Sequence, residues 1–179
     1  FIGYVHRVAA RIDGDYELVA GALSSNAATA LESGKNLGLA EDRIYTSYEE
    51  MAAKESARKD GIQAVSIVTP NHVHFGPAKA FLEAGIHVIC DKPLTSTLDD
   101  ARALAAIKPK KGAKFLLTHN YTGYPLVRQA RELVKSGALG KVRVVQVEYP
   151  QDWLTNAADP GNKQASWRTD PKRSGAGGA

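Results

Sequence analysis

Two short apolar runs, at residues 64–68 and 86–90, flank the segment with the clearest helix boundaries in the sequence. Pro77 stands where a first-turn proline belongs, and Gly85 stands where the glycine after a helix belongs. The run at 64–68 is apolar apart from one Ser, which is typical of a strand covered on both faces. A strand, a helix and a second strand in this order predict a right-handed crossover between parallel strands. The chain is therefore constrained to an α/β fold built on a parallel sheet.

The same alternation of strand and helix runs through the rest of the sequence. Further apolar or β-branched runs predict strands at residues 16–23, 44–45, 114–118 and 142–149. Periodicity, caps and glycines predict helices at residues 1–11, 26–38, 48–59, 97–107 and 125–136. In a sheet of this kind, ligands bind beyond the carboxyl ends of the strands.

The composition narrows the class of protein. The chain has 179 residues, 44% of them hydrophobic and 23% charged, which fits one globular domain and part of another. No apolar run approaches the roughly 18 residues of a membrane span. The net charge of +4 is spread along the chain, which suits an anionic small ligand and does not favour nucleic acid. The single cysteine, Cys90, excludes an internal disulfide and indicates a reducing, cytoplasmic compartment.

Both ends of the sequence predict that it is part of a larger protein. The chain opens on Phe1 with no Met and no signal-type stretch. It closes on a glycine-rich segment, residues 174–179, of a kind that normally connects two elements or receives a ligand.

Polar residues follow the predicted strands at four places, and these are the candidate ligand sites. They are Ser24, Ser25 and Asn26; the segment from Thr69 through Pro70 and Asn71 to His74; the segment from Asp91 through Lys92 to Pro93; and the pair Asn120 and Tyr121.

Two of these places, residues 69–74 and residues 91–93, also have a simpler interpretation. The segment 69–74 could be a turn in which Pro70 fixes φ and Asn71 or Thr69 caps a helix. Alternatively, Asn71 and the backbone could contact the ribose or phosphate of a cofactor. His72 and His74 could ligate a metal, but neither a CxxC nor an HExxH motif accompanies them, so we predict no metal site. Lys92 could be a solvated turn residue, or a lysine held beside a carboxylate to donate or carry a proton.

One further motif favours an ordinary surface role. The lysine cluster at 108–114 has no interleaved aromatic residues and indicates a solvated loop rather than a nucleic-acid patch. The sequence contains no G-x-S-x-G elbow and no P-loop, which argues against hydrolase and kinase classes.

Taken together, three segments and one dipeptide resemble the Gfo/Idh/MocA family of nicotinamide-dependent oxidoreductases, which includes glucose–fructose oxidoreductase and inositol dehydrogenase. They are residues 68–74 (VTPNHVH), residues 84–94 (AGIHVICDKPL), residues 137–142 (GALGKV) and Trp167-Arg168. The resemblance covers essentially the whole chain in order. The family's usual Glu-Lys-Pro stands here as Asp91-Lys92-Pro93, which keeps the carboxylate on a shorter side chain.

The resemblance implies a Rossmann-type, doubly wound cofactor domain at residues 1–121. It also implies the start of a second α/β domain, with an open mixed sheet, at residues 122–179. Lys92 is the implied catalytic residue. The implied cofactor-binding residues are Gly3, Ser24, Ser25, Thr69, Pro70, Asn71, His74, Asp91, Lys92, Asn120, Tyr121, Trp167 and Arg168. The family's glycine fingerprint would stand before Phe1, with Gly3 as its only remnant, and its Asp-x-Gly-x-His would lie beyond Ala179.

The function implied by the resemblance is hydride transfer between NAD or NADP and a hydroxyl or carbonyl of a sugar, cyclitol or related polyol. The choice of cofactor stays open, because Ser24 and Ser25 stand where NAD-preferring proteins carry an acid. We expect a small-molecule substrate, no nucleic acid or membrane partner, and a homo-oligomer. A non-catalytic nucleotide-binding or regulatory protein on the same scaffold is the alternative, and a pure interaction module is a third.

Overall fold

The computed structural model describes residues 2–152, 161 and 163–175. Short parallel strands alternate with helices, so the predicted α/β class is confirmed. The strands are β1 (Gly21–Ala22), β2 (Ile44–Tyr45), β3 (Ala64–Ile67), β4 (His87–Cys90) and β5 (Phe115–Leu117).

All strand pairs are parallel, as the crossover pattern predicts. β1 pairs with β2 in one sheet, and the second sheet has the order β3-β4-β5. Ile67 lies opposite Cys90, and Cys90 lies opposite Leu117, so these three strands end at nearly the same level. Their carboxyl ends therefore form one continuous edge.

Helices connect and follow these strands. They are α1 (Ile2–Ile12), α2 (Ala27–Asn36), α3 (Tyr48–Ala57), α4 (Phe75–Ala84), α5 (Leu98–Ala105), α6 (Pro125–Lys135), α7 (Lys163–Arg168) and α8 (Pro171–Ser174). Single turns of 3₁₀ helix lie at Glu41–Arg43, Asn71–Val73, Lys110–Gly112 and Asn120–Gly123.

Side-chain caps fix where three helices begin. Asn26, Ser47 and Thr97 each accept a hydrogen bond from the backbone N–H three residues later, as the sequence predicts. Gly85 ends α4 in the left-handed region with φ +83°, where a Cβ would lie 2.8 Å from the Lys111 side chain. α4 begins at Phe75, so Pro77 is its third residue and lies in its first turn, as predicted.

The core lies where α3, α4 and α5 pack on the sheet. Its most buried large side chains include Tyr45, Phe81 and Val88, which are at most 2% exposed. Burial of such side chains stabilises a fold by about 1.5–3 kcal/mol each. This packing holds β3, β4 and β5 in place beneath the edge where they end.

One strand prediction fails in part and another fails completely among the described residues. Of residues 16–23, only Gly21 and Ala22 form a ladder, because only β2 pairs with this segment in the described chain. Residues 142–149 form no strand among the described residues and are exposed throughout. The physical reason is the same in both places, since a strand needs a neighbour to bond its N–H and C=O groups. The described residues after 121 are helix, turn and loop, so the open mixed sheet is not seen in them. The strand at 64–68 is also less covered than predicted, because Ser66 is exposed.

Within the described ranges, no helix is long and apolar enough to cross a membrane. In the same part of the chain, no three His, Cys, Asp or Glu side chains come together in a way that could hold a metal ion.

Candidate functional site

The candidate site is built on the common edge of β3, β4 and β5. The backbone N–H of Asp91 donates to the carbonyl of Ile67 at 2.9 Å, and that of Thr118 donates to the carbonyl of Cys90 at 2.9 Å. The three strands are thus held in register up to their carboxyl ends, where the loops begin. The loops that follow are the predicted segments at 69–74, 91–93 and 118–121.

A small network surrounds the carboxylate of Asp91. The Thr118 hydroxyl donates to Asp91 Oδ1 at 3.0 Å, and His6 Nε2 lies 3.8 Å from the same oxygen. The other His6 ring nitrogen, Nδ1, lies 2.8 Å from the Ser66 hydroxyl. The side chain of Asp91 is only 17% exposed, so its position is set by these neighbours rather than by solvent.

The sequence analysis missed His6 and Thr118. His6 lies one helical turn after Gly3 on α1, a spacing that puts two residues on one helix face. Thr118 is the last residue of the predicted strand 114–118, so the edge rule that selected Asn120 could have selected it as well.

Lys92 is exposed, and its peptide bond to Pro93 is cis. Its charge reaches Tyr121: the hydrogen bond with Tyr149 raises the pKa of Tyr121, and Lys92 acts in the opposite direction. The hydroxyls of Tyr121 and Tyr149 lie 3.1 Å apart, and the Tyr124 ring is 5.5 Å from that of Tyr121. Lys92 therefore stands beside an exposed group of tyrosines.

His74 is fully buried. Its Nδ1 lies 2.7 Å from the carbonyl oxygen of Pro93, and its Nε2 lies 2.9 Å from that of Thr69. Both ring nitrogens thus face the backbone, and the side chain offers no surface to a cofactor. The expected cofactor contact of His74 is not compatible with this placement, and a different role is argued below.

Asn71 is also buried, at 7% exposure, and it links two distant parts of the chain. Its Nδ2 donates to the carbonyl of Ser174 at 2.8 Å. The next residue, Gly175, has φ +82°, and a Cβ there would lie 2.5 Å from the Ser96 carbonyl oxygen. This amide therefore joins the 3₁₀ turn after β3 to the start of the glycine-rich segment.

Ser24 and Asn26 are occupied in starting α2. The Ser24 hydroxyl accepts from the Asn26 N–H at 3.1 Å, and Asn26 Oδ1 accepts from the Thr29 N–H at 3.0 Å. Ser25 lies between them and is exposed. Residues 24–26, which follow β1, therefore carry small uncharged side chains, and none of them is a carboxylate.

Arg168 and Trp167, at the end of α7, are half-buried. The guanidinium carbon of Arg168 lies 4.1 Å from the centre of the Trp167 ring. Burial lowers the pKa of Arg168, and the charge of Asp91 acts against that change. Arg168 is thus close enough to Asp91 to interact with it electrostatically.

A cleft of about 2160 Å³ runs along these loops. Most of the predicted site residues line it, namely Gly3, Ser24, Ser25, Thr69, Asp91, Lys92, Asn120 and Tyr121. The other predicted residues, which are Pro70, Asn71, His74, Trp167 and Arg168, do not line this cleft. Of these, His74 contacts the Thr69 carbonyl, and Arg168 interacts electrostatically with Asp91. Thr69 and Asp91 both line the cleft.

The polar groups along this edge of the sheet fit a dinucleotide. The cleft also reaches residues 59–63, before β3, so its volume belongs to more than the ligand edge. Hydroxyl and carboxylate groups near the edge suit ribose, and Lys92 provides a cation beside them.

Two family models match the chain. Residues 1–119 match the Gfo/Idh/MocA oxidoreductase family with its NAD-binding Rossmann fold. Residues 127–179 match the Gfo/Idh/MocA C-terminal domain.

Individual relatives agree with these matches. An oxidoreductase from Sinorhizobium meliloti is 62% identical, with a TM-score of 0.83 over 87% of this chain and 44% of that chain. The inositol dehydrogenase homolog of Azotobacter vinelandii, solved with NAD+, is 39% identical, with a TM-score of 0.90 over 97% of this chain and 45% of that chain.

The uncharacterized oxidoreductase YfiI of Bacillus subtilis is 39% identical over 97% of this chain and 45% of its own length. The chain thus spans a little under half the length of these relatives. With a Rossmann-type parallel sheet and matches to both family models, the chain belongs to the Gfo/Idh/MocA oxidoreductase family.

Proposed function

We propose that the protein is an NAD(P)-dependent oxidoreductase that interconverts a hydroxyl and a carbonyl of a cyclitol, sugar or related polyol. The observation that carries this proposal is Lys92, an exposed cation at the carboxyl edge of the sheet, inside the cleft and next to the held carboxylate of Asp91. The family match and the inositol dehydrogenase homolog with NAD+ support the same chemistry.

The nicotinamide cofactor, when bound, supplies the redox chemistry by accepting or returning a hydride. The chain's own task at the reacting oxygen is to stabilise charge, and the hydroxyl proton would pass to a general base other than Lys92, because an ammonium has no acceptor. In the oxidative direction, the Lys92 ammonium would donate a hydrogen bond to the substrate oxygen and stabilise the negative charge that develops on it. Such stabilisation is greatest in the transition state, so it raises kcat more than it tightens binding.

The neighbours of Lys92 would orient the cofactor. Asp91, fixed by Thr118, would accept hydrogen bonds from the nicotinamide ribose, and Thr69 and Asn120 would contact it at either side. Tyr121 would border the nicotinamide side of the cleft. Trp167 and Arg168 do not line the cleft, so they would act on it through the charge of Arg168 near Asp91, which suits an anionic group. Asn71 would keep the Ser174 end of the glycine-rich segment beside this site, as its bond to the Ser174 carbonyl supports.

The remaining assignments belong to the same proposal. Residues 1–121 would form the cofactor domain and residues 122–179 the start of the substrate domain. The protein would act in the cytoplasm, where nicotinamide cofactors are plentiful and the thiol of Cys90 stays reduced. It would form a homo-oligomer, which light scattering of the full-length protein tests.

The experiment for the function is a spectrophotometric screen. Full-length protein is incubated with NAD or NADP and a panel of cyclitols, sugars and linear polyols, and absorbance at the nicotinamide band is followed. We expect a steady increase with at least one cyclic polyol. Cofactor binding without turnover across the panel would favour a regulatory nucleotide-binding protein, and no binding of either cofactor would favour an interaction module.

A further inference from the structure

The ring of His74 connects the loops that follow two neighbouring strands. His74 stands directly before α4, at the end of the loop after β3, and Pro93 belongs to the loop after β4. The imidazole has no exposed surface and lies between the carbonyls of Thr69 and Pro93. Its contacts are therefore with the two backbones that form the edge of the cleft.

These contacts restrict the chemistry of the ring. A carbonyl oxygen only accepts hydrogen bonds, so each contact needs a hydrogen on the nitrogen that faces it. A neutral imidazole carries one such hydrogen and satisfies one carbonyl, whereas a protonated ring satisfies both. The ring nitrogens lie 2.7 Å from the Pro93 oxygen and 2.9 Å from the Thr69 oxygen, so both contacts are within hydrogen-bond distance, and the spectra described below decide which nitrogen carries the hydrogen.

The Pro93 contact matters because of what lies just before it. On the amino side of Lys92, the Asp91 N–H is bonded to the Ile67 carbonyl in the sheet. On the carboxyl side, proline has no N–H, and among the described residues no backbone N–H reaches the Pro93 carbonyl. The hydrogen bond from His74 therefore completes the support of the backbone that carries Lys92.

We infer that His74 is a positioning residue for Lys92, acting through the Pro93 carbonyl. This inference rests on the proposed function, in which Lys92 contacts the reacting oxygen. The lysine side chain is long and exposed, so its aim depends on the backbone from which it starts. Small errors in the position of a reacting group are costly in rate, which is why a buried bond at this point affects kcat.

Two substitutions separate the contacts of the ring. The amide nitrogen of Asn is the same number of bonds from Cβ as Nδ1 of His, so His74→Asn keeps a donor for Pro93. The amide nitrogen of Gln matches Nε2, so His74→Gln directs a donor at Thr69 and provides none for Pro93. His72→Gln is the matched control, because His72 is exposed and lies on the same turn.

The variants are compared in full-length protein by kcat, KM, cofactor binding and thermal unfolding. We expect His74→Gln to lose at least tenfold in kcat, with cofactor Kd changed less than about threefold. We expect His74→Asn to keep kcat within about threefold, although both variants lower Tm. A purely structural role would lower kcat equally in both variants, in step with Tm, and that result would overturn the inference. Wild-type kcat in His74→Gln would overturn it as well.

A second measurement does not depend on activity. Long-range ¹H–¹⁵N spectra of the wild-type protein, assigned by comparison with His74→Gln, report which ring nitrogen carries a hydrogen. A hydrogen on Nδ1 supports the Pro93 bond, and a ring protonated on Nε2 alone overturns it. If the wild type oxidises no substrate, the proposed function fails with the positioning role, and the spectra still decide whether the bond exists. If the wild type oxidises a substrate and His74→Gln keeps the wild-type kcat, the proposed function stands and the positioning role of His74 fails.

Discussion

The hydroxyl of Thr118 donates a hydrogen bond of 3.0 Å to Oδ1 of Asp91, which ties the end of β5 to the end of β4 at the candidate site. A hydrogen bond to a charged group is worth about 1.5–3 kcal/mol. Removal of the hydroxyl should therefore release the carboxylate.

The first prediction concerns that bond. Thr118→Val keeps the shape of the side chain and removes the donor, so we expect the nicotinamide cofactor to bind about tenfold more weakly. Thr118→Ser keeps the hydroxyl and should stay within about twofold of the wild type. Fluorescence titration with the reduced cofactor measures both. Equal affinity in the Val and Ser variants would show that Thr118 does not position Asp91.

The second prediction is loose selection between NAD and NADP. Ser24 and Asn26 are engaged in starting α2, and the exposed Ser25 neither repels nor strongly binds a 2′-phosphate. Dissociation constants for the two cofactors should agree within about tenfold, which corresponds to roughly 1.4 kcal/mol. Parallel calorimetric titrations test this. A preference above a thousandfold would mean that a contact outside this edge decides the choice.

The third prediction concerns stability and Glu55, whose side chain is fully buried. Its carboxylate accepts from Arg43 Nε at 3.1 Å, from the Tyr45 hydroxyl at 2.7 Å and from the Ile62 N–H at 3.1 Å. Burial acts to raise the pKa of Glu55, but these bonds outweigh it and hold the pKa below the usual value. Glu55→Gln removes the buried charge partner of Arg43 and leaves it only the exposed carboxylate of Asp60 at 3.7 Å, so it should cost about 3 kcal/mol of unfolding free energy.

The depressed pKa of Glu55 also sets the direction of its pH dependence. The stabilisation is full above the unfolded-state pKa of about 4.3 and is lost as the pH falls through the lower folded-state pKa. Urea unfolding at pH 7 and at acid pH should show the difference between wild type and Glu55→Gln shrinking on acidification. Glu41→Gln, at an exposed pair with Lys35, is the control and should change stability by under about 1 kcal/mol. A Glu55 effect as small as that control would contradict the prediction.

The fourth prediction is that Cys90 is inert in the folded protein. Burial, with a smaller contribution from the charge of Asp91, raises the pKa of this thiol to about 12. Almost no thiolate is then present at pH 8, and the thiolate is the reactive form. A thiol reagent should label the denatured protein fully and the native protein only as it unfolds. Rapid, stoichiometric labelling of the native protein would show that Cys90 is accessible.

The local elements of the fold were largely predictable because their signals are local. Asn26, Ser47 and Thr97 cap helices as their sequence positions indicate, and Gly85 adopts the left-handed conformation that its position predicts. Residues 142–149 have the composition of a strand but form none. A strand needs a neighbouring strand to pair with, and the composition of a segment does not reveal whether one is present.

The candidate site was predictable at its edge and not in its detail. The edge rule selected Lys92 and Asp91, and both line the cleft. It also selected His74, whose ring is buried. The position of a residue in a loop does not show whether its side chain faces the solvent or the protein interior. The bond between Asn71 and Ser174 spans 103 positions and has no signal in the local sequence.

The most direct measurement for the whole account is the kcat of Lys92→Met in full-length protein on the polyol that the wild type oxidises. Met keeps the length and the apolar stem but removes the charge and its donors. We expect kcat to fall about 100-fold or more, with cofactor Kd changed by less than about tenfold, because the lysine acts mainly on charge that develops in the transition state. Wild-type kcat in this variant would contradict the account and leave Lys92 as a surface turn residue.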